Sequence, residues 1–342
     1  MLVINARFLT QNITGVQRFA IEIAKQLKIL YGNDLIFVSP KNIIHKELAK
    51  ELDVKIIGNF TGHLWEQISL PKYLKQNGNS LLLNLANTAP LLYANKIVTI
   101  HDLAFLHHPE WFSKKFTLVY NFLLPNIANH SKHILTVSQY VKDDISKSYK
   151  IEPNKIDIIY NSYSNMFKKL PFEKEDYVLA VGSIEPRKNL IALIDIFKKT
   201  DMKLLIVGQK NKVFSEFNLE KLPKNIIFTG YVDDKELVEL YNKAKIFVYP
   251  SLFEGFGIPP LEAQACGTPV ICSNVTSLPE VGGDSVLYCD PYDVNDIADK
   301  IMLLLEDKSL QNELIQKGYE NLERFSWEKS AKKIIDIIEG II

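Results

Sequence analysis

Ser251-Leu252-Phe253-Glu254-Gly255-Phe256-Gly257-Ile258-Pro259-Pro260-Leu261-Glu262 is the stretch on which the reading of this chain turns. It follows Ile246-Phe247-Val248-Tyr249, an apolar run with the length and the β-branched and aromatic content of a buried strand. Pro259 or Pro260 suits the first position of a helix, where no N–H is needed. Cys266 ends that short helix and Gly267-Thr268-Pro269 stops it. Glu254 is therefore expected in a loop at a strand end, and Glu262 in the first turns of the next helix. The glycine-rich turn between them brings bare N–H groups and a helix N-terminus to one spot, a good place for an anion. Two carboxylates beside an anion site repel it unless each accepts hydrogen bonds from hydroxyls of the same ligand. Sugar hydroxyls, a diphosphate and ribose hydroxyls on one molecule meet all of these demands.

A second stretch, Val181-Gly182-Ser183-Ile184-Glu185-Pro186-Arg187-Lys188-Asn189, closes another strand pattern and opens a helix. Gly182 lets the backbone turn sharply. Arg187 grips a phosphate with two N–H groups, and Lys188 adds a mobile point charge. A departing nucleoside diphosphate gains negative charge in the transition state. Fixed cations there lower the barrier more than they tighten ground-state binding.

Outward from these stretches the chain alternates short apolar runs with amphipathic ones, as a parallel sheet covered by helices requires. In the first half the runs at 2–4, 35–38, 54–57, 81–85, 97–100, 134–137 and 156–159 read as strands, and Gly15 to Leu30 reads as a helix. In the second half the strands fall at 177–181, 203–207, 226–228, 246–249, 270–272 and 286–288, with helices from Asp234 to Lys243 and from Val294 to Leu305. The segment 161–175 is polar, carries Pro171 and has neither periodicity, so a boundary is expected within it. The resulting division is residues 1–165, residues 166–326, and a C-terminal helix over 327–342 introduced by Ser326 as N-cap. Ligands of open α/β sheets bind beyond the carboxyl ends of the strands.

The 342 residues are 47% hydrophobic and 23% charged, ordinary for a globular protein. The formal net charge of zero hides an asymmetry: residues 1–165 hold 18 Lys and Arg against 12 Asp and Glu. A basic half suits an anionic partner, such as a phosphate-bearing acceptor or membrane headgroups. Cys266, Cys272 and Cys289 lack metal spacing and have apolar neighbours, as in a reducing compartment. No leader pattern and no apolar stretch near 18 residues is visible, so a cytoplasmic protein is expected. There is no Walker loop, no His-Glu-x-x-His, no Cys-x-x-Cys and no basic stripe, so nucleic acid is not an expected partner.

Two Glu separated by seven residues in the setting Phe-Glu-Gly-Phe-Gly-x-Pro-x-Leu-Glu resemble the signature of retaining GT-B glycosyltransferases, and above all family four. Arg187, Lys188 and Asn189 match that family's Gly-x-x-x-x-Arg-Lys-Asn motif. The resemblance spans both halves and is specific over 182–262. It implies two doubly wound, Rossmann-like α/β domains facing a cleft, residues 1–165 on the acceptor side and 166–326 binding the nucleotide sugar, with the C-terminal helix crossing back onto the first. It implies transfer of a hexose from a nucleotide diphosphate sugar to a hydroxyl, with retention. In its terms Arg187 and Lys188 stabilise the leaving diphosphate and Glu254 positions the sugar. Gly182 and Asn189 stand at the donor loop, and Phe256, Gly257 and Ile258 offer N–H groups to sugar or phosphates. Glu262 holds the ribose, and Val232, in Gly230-Tyr231-Val232, lies where backbone holds the nucleobase. Gly15 approaches the donor phosphates, although this chain has one glycine there where many relatives have two, and Thr14 as an N-cap explains it equally well. His101, in His101-Asp102, serves as a neutral hydrogen-bond partner near the transferred sugar, with Asp102 either orienting it or contacting the acceptor.

Residues 101–111 look most like enzymes of bacterial surface polysaccharide assembly, including mannosyl- and rhamnosyltransferases, which points to GDP-mannose or a related donor. The acceptor is expected to be a glycan or a lipid-linked glycan. No cofactor and no divalent metal are expected, because helix N-termini and the two cations converge on the phosphates. Trp111 to Ile127 mixes aromatic and aliphatic residues with Lys114 and Lys115, a pattern that suits either a core helix or the surface of an anionic bilayer. Fold alone does not fix function. The alternatives are a sugar-nucleotide epimerase or phosphorylase of the same architecture, or a non-catalytic sugar-nucleotide-binding protein.

Overall fold

Each of the apolar runs read as strands becomes one, and together they form two separate parallel sheets. The computed structural model describes residues 2–208 and 222–341. Ile342, the outer end of the expected last helix, lies outside the described residues. The chain divides into two compact units, Met1–Asn161 with Ser326–Ile342, and Ser162–Phe325.

In the first unit the strands are β1 (Leu2–Asn5), β2 (Leu35–Ser39), β3 (Lys55–Ile56), β4 (Leu81–Asn84), β5 (Lys96–Ile100), β6 (His133–Thr136) and β7 (Ile156–Ile158). They lie side by side in the order β3-β2-β1-β4-β5-β6-β7. β1 is central, with Leu2 opposite both Leu35 and Leu81. β1, β4 and β5 are buried throughout, which explains the unbroken apolar runs at 2–4 and 81–83. β3 is exposed at the edge and shorter than its apolar run, with Lys55 among its two residues, a common way of blunting a sheet edge.

In the second unit β8 (Tyr177–Val181), β9 (Lys203–Val207), β10 (Ile226–Gly230), β11 (Ile246–Tyr249), β12 (Val270–Ser273) and β13 (Leu287–Cys289) lie in the order β10-β9-β8-β11-β12-β13. In each sheet the winding direction reverses once, between β1 and β4 and between β8 and β11. At such a switch point the loops after the two strands diverge and leave a crevice at the carboxyl ends.

The change of unit falls at 161/162 rather than at 165/166, because the polar segment is not a free linker. Phe167 is buried and meets Tyr241 edge-on at 5.9 Å. Asn242 clamps the backbone on both sides: its Oδ1 accepts from Leu170 N–H (2.7 Å) and its Nδ2 donates to the Lys168 carbonyl (3.0 Å). The segment is thus stapled to the helix Asp234–Lys243 and folds with the second unit.

The last helix, Trp327–Ile341, belongs to the first unit and packs along the helix Gly15–Tyr31. Ser326 Oγ accepts from Lys329 N–H at 3.4 Å, and Ser330 Oγ donates to the Tyr160 carbonyl at 2.7 Å. Trp327, Ala331, Ile334 and Ile338 form its buried stripe, spaced as an amphipathic helix requires. Trp327 meets Phe19 edge-on at 6.1 Å. No helix among the described residues is long and apolar enough to cross a membrane.

Burial of two isoleucines and a tryptophan is worth several kcal/mol, at about 1.5–3 kcal/mol for each large apolar side chain. Removing residues 327–342 is therefore expected to destabilise the first unit alone. Amide hydrogen exchange in the truncated protein should accelerate through β1 and the helix Gly15–Tyr31 and stay slow in β8 and β11. Equal acceleration in both units would contradict the assignment.

Candidate active site

The second unit's switch point carries the charged residues singled out in the sequence. β8 ends at Val181, and the chain turns through Gly182 into a 3₁₀ turn, Pro186–Lys188, and then the helix Leu190–Phe197. Gly208, at the end of β9, passes so close that a Cβ on it would lie 2.0 Å from the Gly182 carbonyl oxygen. On the other side β11 ends at Tyr249, and Ser251 to Gly257 loop into the helix Ile258–Ala265. The two loops are joined by backbone, with Leu252 N–H donating to the Arg187 carbonyl at 2.8 Å.

Glu254 is the hub of this site. Its buried carboxylate accepts from Arg187 Nη1 through Oε2 (3.0 Å), and from Lys188 Nζ (2.6 Å) and Tyr249 OH (2.9 Å) through Oε1. Its N–H donates to Thr276 Oγ1 (3.2 Å), and its carbonyl accepts from Ser277 Oγ (2.9 Å). Burial works against the charged form, but Arg187 and Lys188 outweigh it and hold the Glu254 pKa down at about 2. Lys188 is shifted the other way for a base, with burial lowering its pKa in spite of Glu254. The two directions agree once the neighbours are counted: the carboxylate has two cations beside it, whereas the lysine bears its own desolvation next to another cation.

Arg187 is not reserved for an anion in this arrangement. Its Nε and Nη2 donate to Glu185 Oε1 at 3.2 and 2.8 Å. Arg187, Lys188, Glu185 and Glu254 therefore sum to zero formal charge, where the sequence suggested two uncompensated cations. Glu185, Tyr249, Thr276 and Ser277 were not singled out from the sequence. Glu185 stands two residues before Arg187, and Tyr249 is the last residue of the strand that leads to Glu254, so proximity to the motifs was their only signal.

Gly257 has φ +100°, and a Cβ there would meet Leu278 Cδ2 at 2.6 Å, so both conformation and space require glycine. Pro259 and Pro260 occupy the second and third helical positions and have no N–H. The N–H groups of Gly257 and Ile258 have no acceptor among the described residues. Phe256 is buried edge-on against Phe325 at 5.5 Å, and its carbonyl accepts from Ser277 Oγ. Glu262, half-buried, accepts from Tyr241 OH at 3.1 Å. Asn189 also has bonds within the unit. It has φ +54°, its N–H donates to the Pro186 carbonyl, and its side-chain amide donates to the Pro291 carbonyl at 2.7 Å. Val232 is buried just before Asp233, whose carboxylate caps the helix Asp234–Lys243.

In the first unit, His101 follows β5 and is buried. Its Nε2 donates to the Leu85 carbonyl at 3.1 Å, which leaves Nδ1 as the acceptor. Burial lowers its pKa, so the ring is neutral. Phe19 packs edge-on against it at 4.9 Å and in turn leans on Trp327. Asp102 accepts from the backbone N–H of Ala104 at 3.1 Å. Gly15 opens the helix Gly15–Tyr31 behind Thr14, whose N–H donates to Gln17 Oε1 at 3.2 Å. A Cβ at Gly15 would meet nothing within 4 Å, so local packing does not demand a glycine there. Asp233 and Asp293 are helix caps, and Asp144 binds His107 and Ser148. Among the described residues no three His, Cys, Asp or Glu side chains cluster as metal ligands.

The Glu254 cluster links stability to pH with a definite sign. Its folded pKa of about 2 lies below the ordinary 4.5, so its stabilisation is complete above pH 4.5 and is lost as pH falls toward 2. Glu254→Gln is expected to be less stable than wild type at pH 7 by about 3 kcal/mol, the order for removing one partner of a buried ion pair. That gap should narrow steadily between pH 4.5 and 2.5 in denaturant titrations. A gap independent of pH would show that Glu254 is not the titrating partner.

The comparisons with known proteins fall on both units. Residues 162–321 match the family described as "Glycosyl transferases group 1", and residues 13–164 match "Glycosyltransferase Family 4". The O-antigen chain mannosyltransferase B of Escherichia coli is 33% identical over 262 residues, covering 70% of this chain and 69% of that protein. The O-antigen chain mannosyltransferase RfbU of Salmonella typhimurium is 31% identical over 314 residues, covering 85% and 87%. Anabaena HepE, crystallised with UDP and glucose, superposes with a TM-score of 0.79 at 17% identity over 99% of both chains. WaaG, a glycosyltransferase involved in lipopolysaccharide biosynthesis, superposes with a TM-score of 0.75 at 17% identity over 99% and 100%. With the motifs at 182–189 and 251–262, two Rossmann-like sheets and these matches, the chain belongs to glycosyltransferase family four and is a glycosyltransferase of GT-B fold.

Proposed function

We propose that this glycosyltransferase transfers a hexose, mannose from GDP-mannose foremost, to a hydroxyl of a glycan or lipid-linked glycan, with retention at the anomeric carbon. The observation that carries this reading is the Glu254 carboxylate held by Arg187 and Lys188 at the switch point of the second sheet. The mannosyltransferases of similar sequence support the choice of sugar.

In the proposed mechanism the diphosphate of the donor competes with Glu254 and Glu185 for the guanidinium and the ammonium. Glu254, relieved of part of that pairing, accepts hydrogen bonds from hydroxyls of the transferred sugar. Charge then builds on the leaving phosphate against cations that are already oriented and desolvated, which favours the transition state over the bound donor. The N–H groups of Gly257 and Ile258 serve the donor at a helix end carrying roughly half a positive charge. Glu262 takes the ribose, backbone near Val232 the base, and Gly15 offers unobstructed backbone to the phosphates. His101, neutral and steadied by Phe19, accepts from a sugar hydroxyl through Nδ1. The donor phosphate takes the proton of the acceptor hydroxyl, so no side-chain base is required and no divalent metal takes part. An epimerase or a binding protein of this fold would not move sugar onto an acceptor.

Turnover of GDP-mannose, with UDP- and dTDP-sugars in parallel, tests this. Activity in excess EDTA is expected within a few-fold of that in Mg²⁺. A folded Arg187→Ala variant should lose about 10²–10³-fold, as when one preorganised electrostatic group is removed. Loss of activity on chelation, restored by Mg²⁺ or Mn²⁺, would overturn the metal-free mechanism. Near-normal turnover by Arg187→Ala would overturn the site.

We also propose a cytoplasmic enzyme that works at the inner face of an anionic membrane through the helix Lys114–Asn129. Leu124, Ile127 and Ala128 bury one side of that helix, but Leu118 is 74% and Phe122 63% exposed, with exposed Lys114 and Lys115 in the first turn. An apolar stripe beside lysines suits the headgroup boundary of anionic lipid. Flotation with phosphatidylglycerol liposomes should carry the protein at low salt, and Leu118→Ser with Phe122→Ser should abolish it. No binding at low salt removes the proposal.

A further inference from the structure

The first unit has a switch point of its own, and a polar nest fills it. Asn5 ends β1 and Asn84 ends β4, directly opposite each other. Asn5 Nδ2 donates both to Asn84 Oδ1 (2.8 Å) and to Glu66 Oε1 (3.0 Å). Arg7, in the turn after β1, donates Nε to the same Glu66 oxygen (3.2 Å) and Nη2 to Thr88 Oγ1 (2.7 Å). Glu66 lies on a π-helical turn, Trp65–Ser69, a feature found often at functional sites. Asn5, Arg7, Glu66, Asn84 and Thr88 are all at most 9% exposed.

Two buried atoms of the nest are left over. Asn84 Nδ2, a donor, and Glu66 Oε2, an acceptor, have no hydrogen-bond partner among the described residues. His63 Nδ1 stands 3.6 Å from that oxygen, beyond hydrogen-bond length. Burial opposes the Glu66 charge, yet Arg7, with smaller help from His63 and Thr88, holds its pKa below the usual range. Unmet buried groups are costly, and a buried ion pair is a poor device for stability alone. One spare donor and one spare acceptor, both on side chains gripped by the same Asn5 amide, are the complement of a hydroxyl, which accepts and donates once each.

Two neighbours suit a sugar. Tyr120, on the helix Lys114–Asn129 of the same unit, stacks on Phe116 at 4.0 Å, and Phe116 stacks on Phe112 at 5.3 Å. The nest also joins His101 through backbone: Thr99 Oγ1 donates to the Asn84 carbonyl, and His101 Nε2 to the next carbonyl, that of Leu85.

We propose that this nest is the acceptor-recognition site of the first unit, taking one hydroxyl of the acceptor sugar. Asn84 Nδ2 donates to the hydroxyl oxygen, and Glu66 Oε2 accepts its proton. Arg7 and Asn5 hold both side chains in place, and the Phe116–Tyr120 face covers the apolar side of the sugar ring. The assignment to an acceptor rests on the transferase reading, but the site itself is testable without it.

The probes are the methyl α-glycosides of mannose, rhamnose, glucose and galactose with their monodeoxy derivatives, bound without donor and read by saturation-transfer NMR. Wild type is expected to prefer one glycoside over one of its deoxy forms by at least about tenfold, because a site built to bond a hydroxyl rejects the analogue lacking it. Asn84→Asp, which keeps the Asn5 contact and removes the spare donor, and Glu66→Gln should abolish that preference. Phe116→Ala should weaken all the glycosides and leave the preference intact, which keeps the test open if a nest variant fails to fold. Donor hydrolysis and the melting shift with nucleoside diphosphate should stay unchanged in all three variants, while KM for the glycoside rises. A preference unchanged in folded Asn84→Asp, or no glycoside bound by wild type, overturns the site. Glycoside discrimination in a wild type that turns over no donor leaves the site standing and removes the transferase reading instead.

Discussion

The second unit depends on one shared carboxylate. Glu254 is placed by the loop after β11, and both of its main partners come from the loop after β8. Neither loop has a regular ladder to fix it, so the three side chains and the Leu252–Arg187 backbone bond set their mutual position. Removing Glu254 leaves the buried Lys188 ammonium without the carboxylate it bonds, which is costly in a way that losing a surface ion pair is not. The same arrangement ties geometry to chemistry, because the groups that close the two loops are those that would meet a diphosphate.

Both units solve one problem twice. A parallel sheet buried on two faces needs unbroken apolar strands, and its winding must reverse somewhere. At the reversal the strand ends face a gap that helices do not fill, and polar residues gather there at little cost to the core. In the second unit these are Tyr249, Glu254 and the Arg187-Lys188 pair. In the first they are Asn5 and Asn84, each ending an otherwise apolar run. The helix Trp327–Ile341 joins the two levels of organisation within the first unit, since its Trp327 supports Phe19 and Phe19 supports His101.

The architecture was legible because burial on both faces writes itself as short apolar runs, and each run became a strand. The charged motifs were legible for a related reason: glycines, prolines and charges crowd into a few residues at the ends of such runs. What lay beyond the sequence was pairing. Arg187 and Lys188 read as cations facing outward toward a ligand, and only the fold shows Glu254 and Glu185 closing on them. The left-handed backbone of Asn189 and its bond to Pro291, 102 residues away, were likewise not legible. Arg7 and Glu66 lie 59 residues apart, and no local pattern announces that they meet. The change of unit falls at the start of the polar segment expected to hold it, and no local pattern shows that Asn242 fastens the rest of that segment from 72 residues away.

The neutral charge of the Arg187-Lys188-Glu185-Glu254 group has a consequence for how an anion is held. Side chains that cancel one another attract a diphosphate weakly at long range, so the lasting positive end must come from backbone. The helix Ile258–Ala265 supplies it in an unusual form. A helix start ordinarily presents four unpaired N–H groups, but Pro259 and Pro260 delete two of them. The remaining donors, Gly257 and Ile258, then point from one short arc, and the left-handed backbone at Gly257 aims that arc. Substituting either proline would add an N–H beside the site and loosen a φ that the ring fixes, changing where the donors converge while leaving every charge in place. On the proposed mechanism the charged side chains would set when the anion is held, by exchanging partners, and the backbone would set where.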